Sequence, residues 1–212
     1  MAIYLDSASI SDAQTAIQWG WVKGITTNPT LLAKSDSSPE ETLTQLAAIA
    51  PYELFYQLTA STYEGMLAEA ERAYEMIGEK TVLKIPATAI GFQATAKLSP
   101  QMNCSVTAIY SAAQAAIAQD AGAKYAIAYV NRATRLLGDG LALVQAMAQV
   151  LQGSNTQILA ASLKSPDEAA SALQAGANVI TVPLNLLQEM TTHPLSEQTV
   201  VEFNQNGRGM VD

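Results

Sequence analysis

One lysine stands where lysines are rarely found. Lys84 lies in the run Thr81-Val-Leu-Lys-Ile-Pro86, which is otherwise apolar and reads as a buried strand. Lysine is almost never fully buried without a partner or a purpose. One explanation is an edge strand, or a stem laid along apolar surface with its ammonium at the rim. The other is an amine that burial has made partly neutral, and so nucleophilic. An ordinary lysine amine, with a pKa of about 10.4, is almost wholly protonated at neutral pH. The chemistry that needs it deprotonated is Schiff-base formation with a ketone.

Other polar residues close apolar runs along the chain: Asp6, then Thr26, Thr27 and Asn28, then Gln57, Thr107, Tyr129, and Ser162 with Lys164. An eighth run ends in Thr181-Val182-Pro183. Each has a plain structural explanation. Asp6 could cap a helix or accept in a turn; near a lysine it could stabilise a protonated imine and accept a substrate hydroxyl. Asn28-Pro29 reads as a helix N-cap followed by a first-turn proline, which leaves two threonines beside it unexplained. Tyr129 fits a core position with its hydroxyl at the surface. Arg132 and Ser162 together offer a guanidinium fork and a hydroxyl, a pair suited to phosphate. Asn103-Cys104-Ser105 matches a glycosylation pattern but opens a buried-looking strand; Cys104 reads as a small core residue and His193 as a surface loop residue.

These positions gain meaning from the elements that carry them. Apolar runs at 3–5, 22–26, 53–58, 82–85, 104–108, 125–129, 157–161 and 178–182 read as strands. They are continuous runs rather than alternations, as in parallel strands covered on both faces. Eight strands in 212 residues leave about 26 residues for each strand, helix and pair of loops. That predicts a single domain over 1–212: a closed (β/α)8 TIM barrel, α/β in class, with an extra C-terminal helix over 195–206. In such a barrel the site is built at the C-terminal ends of the strands, where the polar residues fall. An open doubly wound sheet is the alternative. No G-x-G-x-x-G follows the first strand, and Gly138-Asp139-Gly140 is only a fragment of one.

Helix starts are marked at Ser38-Pro-Glu-Glu41 and Ser165-Pro-Asp-Glu168, each a capping box with proline, and at Ser61-Thr-Tyr-Glu64 without it. Met66, Leu67, Ala70, Tyr74 and Ile77 form one sheet-facing stripe, and Leu137, Leu141, Val144, Met147 and Leu151 another. Gly122 and Gly176 are placed to end helices in the left-handed conformation.

Composition narrows the function. Eleven basic against nineteen acidic residues give a net charge of −8, and no basic run is present, which disfavours nucleic acid and anionic membrane. One cysteine and one histidine exclude an intrachain disulfide framework and a Cys/His zinc site. No apolar stretch is long enough for a membrane span, and the first ten residues lack the pattern of a secretory signal. The expectation is an acidic, cytoplasmic globular domain.

Five segments together carry a resemblance: Val22-Lys-Gly-Ile-Thr-Thr-Asn-Pro-Thr-Leu-Leu32, Val82-Leu-Lys-Ile-Pro86, Ser105-Val-Thr-Ala-Ile-Tyr110, Tyr129-Val-Asn-Arg132 and Leu159-Ala-Ala-Ser-Leu-Lys164. From Ile3 to Met190 the chain resembles the small transaldolase family. The resemblance implies that Lys84 is the Schiff-base lysine and Asp6 the carboxylate near the imine. It also implies that Thr26 and Asn28 bind the donor, that Thr107 helps hold a catalytic water, and that Arg132 and Ser162 hold phosphate. It implies sugar-phosphate and dihydroxyacetone substrates, no metal or organic cofactor, and a homo-oligomer, a decamer of two stacked pentamers. In the family the C-terminal tail packs on a neighbouring subunit; here residues 203–212 are short and glycine-containing. Transaldolases usually have glutamate at the place of Gln57 and phenylalanine at that of Tyr129. Gln57 with Tyr129 resembles the aldolase branch, which cleaves fructose 6-phosphate to dihydroxyacetone and glyceraldehyde 3-phosphate, with Tyr129 acting through a water held by Gln57 and Thr107. The alternative is a transaldolase moving the dihydroxyacetone unit between sugar phosphates. A more distant one is a non-catalytic sugar-phosphate-binding barrel, which would keep Arg132 and Ser162 but need no buried amine.

Overall fold

The computed structural model describes residues 1–210. Eight parallel strands close into a barrel in chain order, with β8 pairing back onto β1. They are β1 (Ala2–Asp6), β2 (Gly24–Thr26), β3 (Glu53–Gln57), β4 (Thr81–Pro86), β5 (Asn103–Ile109), β6 (Tyr125–Tyr129), β7 (Gln157–Ala161) and β8 (Val179–Val182). Around them run α1 (Ile10–Gln18), α2 (Pro29–Leu32), α3 (Pro39–Ile49), α4 (Tyr63–Ile77), α5 (Ala89–Leu98) and α6 (Ala112–Asp120). Then follow α7 (Val130–Leu137), α8 (Gly140–Val150), α9 (Pro166–Gln174), α10 (Leu184–Met190) and α11 (Pro194–Asn206). This is the TIM barrel that the strand spacing predicts, with its additional terminal helix. No helix among the described residues is long and apolar enough to cross a membrane.

Alternation along the strands separates two cores. Tyr4, Phe55, Val82, Tyr125, Ile127, Leu159 and Val179 point inward and pack on one another inside the barrel. Leu5, Ile25, Leu54, Ile158 and Ile180 point outward beneath the helices. On β4, Leu83 and Ile85 join Met66, Ala70 and Ala94 of the covering helices. That phase turns Lys84 inward. Both edges of β4 are paired, with β3 and β5, so the edge-strand explanation of Lys84 fails.

The lower end of the barrel is closed by a polar cluster. Glu53, 7% exposed, accepts hydrogen bonds from the Tyr4 and Tyr125 hydroxyls, the latter at 2.8 Å, and pairs with Lys124 at 2.8 Å. Burial, together with Glu53 itself, pushes both phenols well above their ordinary pKa. Phe55 sits on this cluster, its ring centre 5.6 Å from that of Tyr4.

Local chemistry departs from expectation in a few places. The Ser38 capping box forms in both directions. At α9, Ser165 accepts from the Glu168 amide, but the Glu168 carboxylate turns instead to the Lys164 amide at 2.6 Å, leaving half a box. The cap of α4 is Thr62 rather than Ser61, because the Thr62 hydroxyl accepts from the Gly65 amide at 3.2 Å. The stripe expected from Leu137 to Leu151 is not one helix. Gly138, at φ +93°, ends α7, and Asp139 caps α8 by accepting from Leu141 and Ala142. Leu137 is left exposed at the end of α7.

Candidate active site

Lys84 is 4% exposed, and its Nζ donates to the Thr27 carbonyl at 2.8 Å. Burial pushes its pKa down to about 8, against the opposing pull of the Asp6 charge. Asp6 closes β1. Burial raises its pKa, while Lys84, a hydrogen bond from Thr26 and the charge of Lys164 hold it down. A partly neutral amine facing a carboxylate in a half-enclosed site is the arrangement that imine chemistry uses.

The wall beside this pair is built of hydroxyls. Thr26 donates to Asp6 Oδ1 at 2.8 Å, and its oxygen lies 2.7 Å from that of Thr181. Thr27 points elsewhere, donating to the Phe55 carbonyl at 2.7 Å, and so serves the fold. Asn28 is the N-cap of α2, accepting from the Leu31 amide at 3.0 Å. The capping explanation therefore holds for Asn28-Pro29, and Asn28 still lines the cavity.

Opposite stands Tyr129, whose hydroxyl shares a 2.7 Å hydrogen bond with Thr107. Burial raises the pKa of this phenol, while Thr107 and Arg132 work against the rise. Thr107 takes its inward place by regular alternation, since Cys104 and Val106 face the helices, and the strand turns irregular just beyond it. The register of β5 on β6 shifts between Val106 and Ile109, and Ala108 takes φ +59°. Ser162, at the end of β7, takes φ +61°. These are the two non-glycine residues with positive φ among the described residues, and each costs roughly 1–2 kcal/mol of backbone strain. Both lie at the C-terminal rim of the barrel. Arg132 sits in the first turn of α7, because residues 130–137 form a helix directly after β6.

A cavity of about 400 Å³ opens here. Asp6, Thr26, Asn28, Gln57 and Lys84 line it, with Tyr129, Arg132 and Ser162 on the other side. Thr107 stands behind Tyr129. Lys164 and Thr181 line the same cavity, although the residue pattern gave them no role. The signal for both was their place at a strand end. Cys104 is buried in the core, and His193 caps α11 by accepting from the Leu195 amide, away from the cavity.

The sequence profile of the transaldolase/fructose-6-phosphate aldolase family matches residues 3–210. The chain belongs to this family. A probable transaldolase of Kosmotoga olearia is 34% identical over 206 residues, covering 96% of this chain and 94% of that protein. A probable transaldolase of Heliobacterium modesticaldum is 34% identical over an alignment of 215 positions that covers 100% of this chain and 100% of that protein. Among solved structures, a mandelate oxidase variant aligns with a TM-score of 0.64 at 17% identity, covering 94% of this chain and 71% of its own. That likeness concerns the barrel alone. As a member of the transaldolase/fructose-6-phosphate aldolase family, the chain places its inward lysine, its carboxylate and its phenol around one cavity.

Proposed function

We propose that this protein breaks and makes the C3–C4 bond of a ketose phosphate through a Schiff base on Lys84. The observation that carries the reading is the buried amine, pushed down to about 8, beside Asp6 in a cavity of sugar-phosphate size. Lys84 Nζ adds to the C2 carbonyl of fructose 6-phosphate, and loss of water gives the iminium, with Asp6 balancing its charge. Tyr129, through a water held by Gln57 and Thr107, takes the C4 hydroxyl proton. The C3–C4 electron pair then moves into the iminium, glyceraldehyde 3-phosphate leaves, and an enamine remains on Lys84. Arg132 and Ser162 hold the phosphate, and Thr26 and Asn28 hold the donor hydroxyls. The imine is the electron sink, so the reaction needs no metal or organic cofactor.

The fate of the enamine separates two enzymes. Protonation at C3 and attack of water on the imine release dihydroxyacetone, which is aldolase activity. The neutral Gln57 and the Tyr129 phenol, hydrogen-bonded to Thr107 at 2.7 Å, support this outcome, since a phenol on a water network can deliver the proton. Capture of the enamine by erythrose 4-phosphate is transaldolase activity, and the names of the relatives support that second reading more directly than the first. Fructose 6-phosphate given alone decides between them. Free dihydroxyacetone and glyceraldehyde 3-phosphate, formed with turnover, mark the aldolase; turnover only with added erythrose 4-phosphate marks the transaldolase. Borohydride trapping that leaves Lys84 unlabelled would point to a non-catalytic barrel.

The same reading includes a homo-oligomer. Leu195, Val200 and Phe203 of α11 are exposed, and none of its residues is buried, which supports a partner subunit over this helix. Light scattering that gives a monomer at micromolar concentration would refute it. Of the tail, Val211 and Asp212 lie outside the described residues.

A further inference from the structure

We propose that Thr181 is a positioning residue of this site, the outer donor of a hydroxyl relay that fixes the Asp6 carboxylate through Thr26. The inference rests on the Schiff-base reading for its catalytic consequence, but its geometry stands apart from it.

The direction of the relay follows from proton counting. A threonine hydroxyl has one proton to give. Thr26 gives its proton to Asp6 Oδ1 at 2.8 Å, because an ionised carboxylate can only accept. The 2.7 Å contact between Thr26 and Thr181 must then be made by the Thr181 proton. Both hydroxyls lie in nearly dry surroundings, Thr26 being 1% exposed and Thr181 2%. A donor that itself accepts a hydrogen bond is polarised and donates more strongly, so Thr181 strengthens the bond that reaches Asp6.

Topology explains why Thr181 works at one remove. Strand register sets Thr181 opposite Tyr4, two residues before Asp6, and sets Thr26 opposite Asp6 on the other edge of β1. Thr26, Lys84, Ile127 and Thr181 come from β2, β4, β6 and β8, and all four line the cavity. Alternate strands of a barrel contribute side chains to a common layer, which brings Thr26 and Thr181 together across the inner face of β1. With Asp6 Oδ1 tied to this wall, Oδ2 makes no hydrogen bond among the described residues and is left for the imine or a substrate hydroxyl.

The charged and titratable groups facing Asp6 are Lys84 from β4, Lys164 after β7 and Tyr129 at the end of β6. Thr181 carries no charge, so Thr181→Val removes the donor, keeps the shape and leaves those groups as they are. The Asp6 carboxyl can be followed by 13C NMR of aspartate-labelled protein, its signal assigned by loss in Asp6→Asn. Thr181→Val should move the Asp6 titration to higher pH and carry the acid limb of kcat with it. We expect kcat to fall about threefold with KM within about twofold, the size of a lost neutral hydrogen bond felt at one remove. Thr181→Ser should restore both, and Thr181→Ala serves if the valine variant does not fold. An Asp6 titration unmoved by loss of the hydroxyl overturns the relay, as does a serine variant as impaired as the valine. A moved titration in a protein whose Lys84 is never trapped by borohydride keeps the relay and removes the Schiff-base reading.

Discussion

The Arg132 guanidinium lies over the Tyr129 ring, 5.1 Å from its centre. One cation therefore touches both the candidate proton carrier and the space where a phosphate would sit. Its two contacts predict losses of different size. Arg132→Ala should lower kcat/KM about ten- to hundred-fold for phosphorylated aldehydes, the worth of a charge-assisted fork. For free glyceraldehyde only the ring contact is lost, roughly threefold. Steady-state kinetics with the two acceptors checks this; equal losses would assign Arg132 a purely structural role.

Tyr129→Phe removes the hydroxyl that meets Thr107 at 2.7 Å while keeping the ring beneath Arg132. Given dihydroxyacetone, borohydride should still trap a three-carbon adduct on Lys84 in this variant. Release of free dihydroxyacetone from fructose 6-phosphate should fall by about two orders of magnitude, the usual worth of a positioned acid–base group. If release continues at the parent rate, the proton comes from elsewhere.

The Lys84 amine should show its depressed pKa in two ways. The rate of reductive trapping with dihydroxyacetone should rise with pH through about 8 rather than near the ordinary 10.5. Stability should rise over the same interval. Below pH 8 both folded and unfolded chains hold the proton; between 8 and 10.5 the unfolded chain binds it and the folded one does not. The gain is up to roughly 3 kcal/mol, and it should be absent from urea denaturation of Lys84→Met.

Glu53→Ala should destabilise the fold by about 2–4 kcal/mol, because the buried Tyr4 and Tyr125 hydroxyls lose their acceptor. Activity per folded molecule should be unchanged, since the cluster lies at the opposite end of the barrel from the Lys84 cavity. A large loss of kcat at full folding would show that the lower layer shapes the upper one.

All eight strands were readable because parallel strands buried on both faces leave unbroken apolar runs, and their ends were misplaced by no more than two residues. Lys84 was readable for the same reason, as a charge interrupting such a run. What escaped depends on backbone geometry. The irregularity of β5 before Ile109 places Ala108 in a conformation that alanine does not advertise. The break between α7 and α8 hid inside a pattern of leucines that matched helical spacing across it. Thr181 ends its apolar run without a role legible there, because threonine is an ordinary strand residue and only the closed barrel shows it against Thr26. The side-chain partner of Glu168 likewise required the fold, since Lys164 offers its amide from the site loop.

The cluster of Tyr4, Glu53, Tyr125 and Lys124 closes the barrel at the end opposite the Lys84 cavity. Reactants of the proposed chemistry would enter and depart on the side of the cavity that Arg132 and Ser162 line, away from this closed end. A second reactant cannot take its place until the first fragment has gone. Reactants therefore come and go in turn, and a two-substrate reaction through an enamine on Lys84 would follow ping-pong kinetics, with parallel lines in double-reciprocal plots.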